Sequence, residues 1–381
     1  MDRSTPGPGR GRLPRGLLGM LGLVAAVEMT VARHGLDFMA TSTSSWVLSA
    51  RAAAAEAPGR RVLCLGDSLV KHGLLPRLVA DRTGRATYNL SACAAQPPLT
   101  YYLLRRALAA GARPGAVVVD FMPDLLAGGP RYSLRCWQEV IAPGEALELS
   151  WTARDGSFLA EAVLGRLVPS VRARREIRAA LLAALRGEAA SPRDLTRLHW
   201  RNWGQNLGAQ FTPPNPAFTG EVPEDVHRSL GSHGWWCHRV NAAYVRRFLA
   251  LARARGIRVY WLLPPVSPAI QARRDHTGAD AGHTRFVRRV QEEFPGLVVL
   301  DARHAGYDHT LFVDAVHLDG RGATTLSLDV AEVLRRDEPG PARLAGWIDL
   351  PAYRPLAPGI PLEDVEQSRL ALHARDRLRR Q

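Results

Sequence analysis

The stretch Arg61-Val62-Leu63-Cys64-Leu65-Gly66-Asp67-Ser68-Leu69 decides how the chain is read. A short apolar run that stops at a glycine is the pattern of a strand buried on both faces of a parallel sheet. After it, Leu74, Leu75, Leu78 and Val79 fall at helical spacing within 69–83, and Gly84 closes the segment. A serine between such a strand and such a helix stands at the strand's carboxyl end, where open parallel sheets bind ligands. Working outward, 86–90, 116–121, 257–263 and 297–300 are four more strand-like runs. Helical patterns cover 99–110 and 240–251, and a last helix is expected over 321–335. Strands alternating with helices imply an α/β fold, a parallel sheet covered on both faces.

The alternation lapses between 125 and 238, which therefore reads as an insertion after the third strand. Two helical patterns, 158–167 and 171–185, precede a loop-rich stretch with Trp200, Trp203, Asn206 and Pro213-Pro214-Asn215-Pro216. The regular domain spans 59–335. Residues 34–58, with a Thr/Ser cluster at 41–45 and an alanine run at 52–55, read as a spacer. Residues 336–381, proline-rich and then charged, read as a C-terminal extension that wraps the surface. At the other end, Arg3, Arg10, Arg12 and Arg15 precede an apolar stretch that runs to Ala32, interrupted by Glu28. A basic segment followed by apolar residues is the form of a signal peptide or signal anchor within 1–33. The absence of a clear cleavage site favours the anchor. The stretch is short against the roughly 20 residues of a membrane span, and Glu28 would be costly inside one. The competing reading is a first helix packed on the domain. An anchored or exported chain would place its domain outside the membrane, at the cell envelope.

A chain of 381 residues that is 46% hydrophobic can bury a large core. Its net charge of +14 invites a nucleic-acid partner. Lys71 is the single lysine, however, so the charge is arginine, with no RNA-binding aromatic signature, zinc spacing or helix-turn-helix pattern beside it. Nucleic acid is therefore not expected. Cys64, Cys93, Cys136 and Cys237 show no C-x-x-C spacing, which argues against a zinc or dithiol site, and neither a metal nor an organic cofactor is expected. Cys64 reads as a buried hydrophobe. Cys136 and Cys237 lie in the irregular region and could pair only in an exported protein.

Late in the chain comes Asp314-Ala315-Val316-His317. An early serine and a late Asp-x-x-His supply a nucleophile, a base and a carboxylate that orients the base, the minimum equipment for acyl transfer. The loops at Ser68, Ser91–Ala95 and Phe121–Asp124 follow strands one to three and open on one sheet edge, within reach of the His317 loop. Asp67 is expected to cap the following helix and leave Ser68 free. His72 is a rival base, but a helix would carry it away from the serine hydroxyl. His283, His304 and His309 have no partner spacing.

These residues resemble the SGNH, or GDSL-type, hydrolases, which cleave or transfer acyl groups through a serine. Gly66-Asp67-Ser68-Leu69 is similar to the family's first block and Asp314-x-x-His317 to its last. The likeness covers 60–121 and 240–335. It implies a flavodoxin-like three-layer α/β/α fold with a five-stranded parallel sheet in the order 2-1-3-4-5. It further implies Ser68 as nucleophile, His317 as general base and Asp314 as the residue holding the imidazole. The middle blocks depart from the pattern. After strand two the family has a glycine whose N–H binds the oxyanion, whereas this loop reads Asn89-Leu90-Ser91-Ala92-Cys93-Ala94-Ala95. After strand three the expected Gly-x-Asn-Asp is Phe121-Met122-Pro123-Asp124, without the asparagine donor. The oxyanion donors are then expected from the Ser68 N–H, Asn89 and Ala94. Trp203, Asn206 and Asp124 are candidate substrate contacts, with the insertion's tryptophans read either as a subdomain core or as a groove for sugar rings.

The expected activity is that of a serine-dependent ester hydrolase or O-acyltransferase. Its substrate would be a small-molecule or polysaccharide acyl ester of the envelope, since anchored family members include O-acetyltransferases of exopolysaccharides. The altered middle blocks keep a second reading open: a non-catalytic carbohydrate-binding or envelope protein on the same scaffold.

Overall fold

The structure, a computed structural model, describes residues 15–35, 39–187, 193–230, 235–337, 344 and 346–355. Six strands form one sheet, β1 (Val62–Leu65), β2 (Thr87–Asn89), β3 (Ala116–Val119), β4 (Arg258–Leu263), β5 (Val298–Asp301) and β6 (Gly346–Asp349). All neighbours pair parallel in the order β2-β1-β3-β4-β5-β6. The five expected strands are present in the expected order. The sixth corrects the expectation that everything after 335 only wraps the surface. β6 is short and half-exposed, so it lacks the apolar signature of a buried strand. Its register comes from β5, and Trp347 Nε1 donates to Asp301 Oδ2 at 3.1 Å. Residues 356–381 of the expected extension lie outside the described residues.

Seventeen helices accompany the sheet among the described residues. Before β1 come α1 (Arg15–Arg33) and α2 (Thr41–Ala55); α3 (Ser68–Gly73), α4 (Pro76–Thr83) and α5 (Pro97–Ala109) follow. The insertion holds α6 (Pro123–Ala127), α7 (Leu134–Val140), α8 (Pro143–Ala153), α9 (Gly156–Leu167), α10 (Pro169–Arg172), α11 (Arg174–Leu185), α12 (Arg193–Gln205) and α13 (Glu224–Leu230). The domain closes with α14 (Arg239–Ala254), α15 (Pro268–Thr277), α16 (Ala279–Glu293) and α17 (Gly320–Arg336). The segment 69–83 is two helices rather than one, because Pro76 cannot continue α3 but starts α4 at its first position.

Side chains alternate across the sheet, as the period of two requires. Leu63, Leu65, Val117, Val119 and Trp261 join α2, α5, α14 and α16 in one apolar layer. Val62, Cys64, Val118, Tyr260 and Leu262 join α4 and α17 in the other. All four cysteines are free. Cys136 and Cys237 do not pair: Cys136 faces Thr43 of α2, whereas the Cys237 thiol meets the His238 carbonyl.

The expected spacer is the largest departure. Within 34–58, α2 lies on the core with Trp46 fully buried, in a T-shaped contact with Trp137 at 4.7 Å. Its serines and alanines look like low-complexity linker, but small side chains are what let a helix approach a sheet layer closely. Helix α1 is 19 residues long and, by length and composition, apolar enough to cross a membrane; 6% of its apolar window is buried. Signal sequences share that character.

Candidate active site

The carboxyl ends of β1 to β5 bring five loops together. At the exit of β1, Gly66 adopts φ +125°, and a Cβ there would lie 1.7 Å from Asp120 Oδ1. Only glycine fits, and the close approach lets the Asp67 N–H donate to Asp120 Oδ1 at 2.9 Å. Asp67 then caps α3, its Oδ1 accepting the Leu69 N–H at 2.8 Å while Oδ2 accepts the Met122 N–H. Ser68 is thereby left free of capping duty, as expected. Asp120 Oδ2 is buried with no hydrogen-bond partner among the described residues, beside the buried Asp67 carboxyl. Burial raises both values, Asp120 well above the usual carboxylate range with the Asp67 charge adding to the effect.

His317 completes a linear arrangement. Its Nε2 lies 2.8 Å from Ser68 Oγ, and its Nδ1 lies 2.8 Å from Asp314 Oδ2. Asp314 Oδ1 also accepts the backbone N–H groups of Val316 and His317, at 3.0 and 2.9 Å. Burial pushes the Asp314 pKa up, but the His317 charge and these hydrogen bonds outweigh it and hold the carboxyl well below its usual range. The loop is closed by an antiparallel bridge between Phe312 and Leu318 and tied to the exit of β4 by the Ser267 N–H, which donates to the Ala315 carbonyl at 3.1 Å. Ser68, His317 and Asp314, expected as a unit, are brought together.

His72 is not carried clear of this group. Four residues after Ser68, it shares a helix face with it. Its ring stacks against His317 with centroids 4.5 Å apart, and its Nδ1 meets Thr212 Oγ1 at 3.2 Å. Burial and then the His317 charge hold its pKa well below the usual imidazole range. His72 is thus a neutral platform under the base, and the i, i+4 spacing was the signal that could have found it.

The loop after β2 is strapped from several sides. Ser45 Oγ accepts the Cys93 N–H at 2.9 Å, Trp46 Nε1 donates to the Cys93 carbonyl at 2.8 Å, and Ser49 Oγ donates to the Ser91 carbonyl at 2.9 Å. Lys71, fully buried, donates from Nζ to the carbonyls of Ser91 and Gly208 at 3.0 and 2.9 Å and lies 4.5 Å from the Trp203 ring centroid. Burial lowers its pKa to about 8. Gly208, with φ +90°, brings the insertion so near β2 that a Cβ would lie 1.9 Å from the Asn89 carbonyl oxygen.

This network overturns one expected donor. Both Asn89 Nδ2 hydrogens go to the carbonyls of Val70 and Leu74, and Oδ1 accepts from Ser91, so the side chain holds the loop instead of facing the site. Ala94 adopts φ +53°, the left-handed region, at a cost of about 1–2 kcal/mol for a residue with a Cβ. It packs beside Leu69, Met122, Ala315 and Val316 at the mouth of the site. Neither its N–H nor that of Ser68 has a hydrogen-bond partner among the described residues.

The expected substrate contacts are placed elsewhere. Trp203 is buried, with Nε1 donating to Gln210 Oε1. Asn206 is buried and bonded to Asn202 at 3.2 Å. Both are buried within the insertion; Trp235, whose Nε1 donates to the Pro123 carbonyl, packs instead against His283 and Phe286 of α16, and Trp236 is 60% exposed. Asp124 pairs with the buried Arg274 at 2.6 Å. Burial still raises its pKa, and the arginine opposes that shift. An ionised Asp124 would repel an oxyanion nearby, and Arg274 supplies its counter-ion. Asp275, Asp280 and His304 bring donor atoms within 4.8 Å of one another, but Asp280 is engaged by Arg303 at 2.7 Å. No family model matches this chain, and no curated protein does.

Proposed function

We propose that the protein is a serine-dependent ester hydrolase or O-acyltransferase working through an acyl-enzyme, on the scaffold and in the manner of the SGNH proteins it resembles. The observation that carries this reading is the hydrogen-bonded line Ser68 Oγ–His317 Nε2, His317 Nδ1–Asp314. Ser68 attacks the ester carbonyl as His317 takes its proton. The N–H groups of Ser68 and Ala94 receive the oxyanion. Collapse returns the proton to the leaving alcohol and leaves an ester on Ser68. Water resolves it in hydrolysis, or a sugar hydroxyl in transfer, again with His317 as base. The chemistry needs neither metal nor organic cofactor. With α1 as an anchor, the domain would act outside the membrane on an acylated polysaccharide.

The test is covalent labelling of the full chain with a fluorophosphonate, read by intact mass. A single adduct on the parent that is absent from both Ser68→Ala and His317→Ala is the expected result. A folded parent that takes no adduct would overturn the reading in favour of a binding protein on the same scaffold.

A further inference from the structure

The insertion carries a surface that acyl transfer does not use. No residue of α11 is buried, and Leu181, Leu182 and Leu185 on one face are 61%, 43% and 84% exposed. Leu164 and Leu167, a turn apart near the end of α9, are 49% and 72% exposed. Single exposed leucines are ordinary, but a run on successive turns of adjoining helices is not. The same segment is strongly basic. Arg166, Arg172, Arg174, Arg175, Arg178 and Arg186 outnumber the acids among them: Glu161 and Glu176 are engaged by Arg131 and Arg135 at 3.0 and 2.9 Å, and Glu139 of α7 pairs with Arg172 at 3.0 Å. On α11 Arg174, Arg178, Leu181 and Leu185 follow one exposed stripe at i, i+4, i+7 and i+11, so basic and apolar side chains meet solvent on the same face, a pairing that suits a charged headgroup layer over an apolar one.

Two further observations fix the occupant. The apolar helix α1 joins the domain at this place: the Glu28 carboxylate accepts the Ser170 N–H at 2.8 Å and also its hydroxyl, so α1 ends against α10, between the two leucine-bearing helices. Glu28 is thus bound to the insertion, not stranded in an apolar stretch. Beside that junction a cavity of about 540 Å³ is walled by Arg33, Arg51, Arg166 and Arg172, with Glu139 as the acid among them. A second copy of this chain would bring like charges together. An anionic surface would not.

We propose that the exposed surface of α9, α10 and α11 rests on an anionic phospholipid membrane, its leucines reaching the acyl boundary and its arginines the phosphates. The domain is then held against the lipid at a second place beside α1, whatever reaction Ser68 performs.

The test is hydrogen exchange of the full chain in single-copy nanodiscs of phosphatidylglycerol or of phosphatidylcholine. Amides of 174–185 are expected to exchange at least tenfold more slowly in phosphatidylglycerol. Leu181→Ser, Leu182→Ser and Leu185→Ser together should abolish that difference while exchange in β1 and β3 stays unchanged. Arg174→Gln with Arg178→Gln should reduce it while sparing the leucines. Equal exchange in the two lipids overturns the proposal. So does protection that survives the serine variant, or protection that appears only in discs loaded with two copies. A serine variant with exposed core strands would mean the leucines pack on protein, and overturns it too.

Discussion

The two sides of the site are built differently. Ser68 and the loop after β2 stand in a dry network: Asp67, Asp120, Lys71, Asn89 and Ser91 are all buried, and the straps reach from α2 and from the insertion. The other side is a local device. Asp314 holds the backbone and ring of a residue three positions later, and the side chains of Asp314 and His317 are 45% and 21% exposed. His317, the proposed base, is therefore aimed by a few bonds within one turn of chain, while Ser68, the proposed nucleophile, and the loop after β2 depend on contacts between residues up to 137 positions apart. Substitutions of the buried network residues on the first side should act through stability as well as rate, and those of Ser68 itself or of the second side through rate alone.

The comparison is tested hardest by Ser68→Ala, which on the proposed reaction should lower kcat about a millionfold with little change in urea unfolding. Asp314→Asn comes next. It leaves the imidazole without its orienting anion, for an expected loss of about 10⁴ in kcat. Because Asp314 is half-exposed, the unfolding midpoint should hardly move; a large shift would show that this loop is a structural part after all. Lys71→Met should reverse that pattern. It strips the Gly208 carbonyl of its buried donor, costing about 2–3 kcal/mol of stability, and loosens the oxyanion loop for about a tenfold fall in kcat. A stable, slow Lys71→Met variant would mean that the network serves the chemistry and not the fold.

The smallest expected effect is a gain. Asp120 keeps a proton in the folded state that an unfolded carboxyl gives up near pH 4. Stability from that proton is present below the ordinary carboxylate pKa and is lost as pH rises toward the folded value. Asp120→Asn retains the acceptor for the Asp67 N–H and has no proton to lose. It should raise stability at pH 7 by about 1–2 kcal/mol and flatten the fall between pH 4 and 7, both read from urea unfolding. An unchanged slope would show that Asp120 is ionised in the folded state.

The early strands, the serine, the capping Asp67 and the Asp-x-x-His pair were legible because each is written in a few adjacent residues. Helix α2 was not, since Ser45, Trp46 and Ser49 announce nothing until their partners 42 to 48 residues later are in place. Trp203 and Asn206 were misjudged for the same reason: an aromatic beside amides reads alike in a groove and in a core, and only the approach of Lys71 and Gln210 decides. Asn89 could be seen as a donor but not where it would donate.

What the sequence determined by itself is the order of the first five strands and the pairing of Ser68 with Asp314 and His317, because hydrophobic period, glycine and capping act over a turn or a strand. What only the tertiary structure decided is which polar groups are already satisfied. That question turns on partners distant in the chain, since a buried donor is free to act on substrate only where folding has left it without an acceptor.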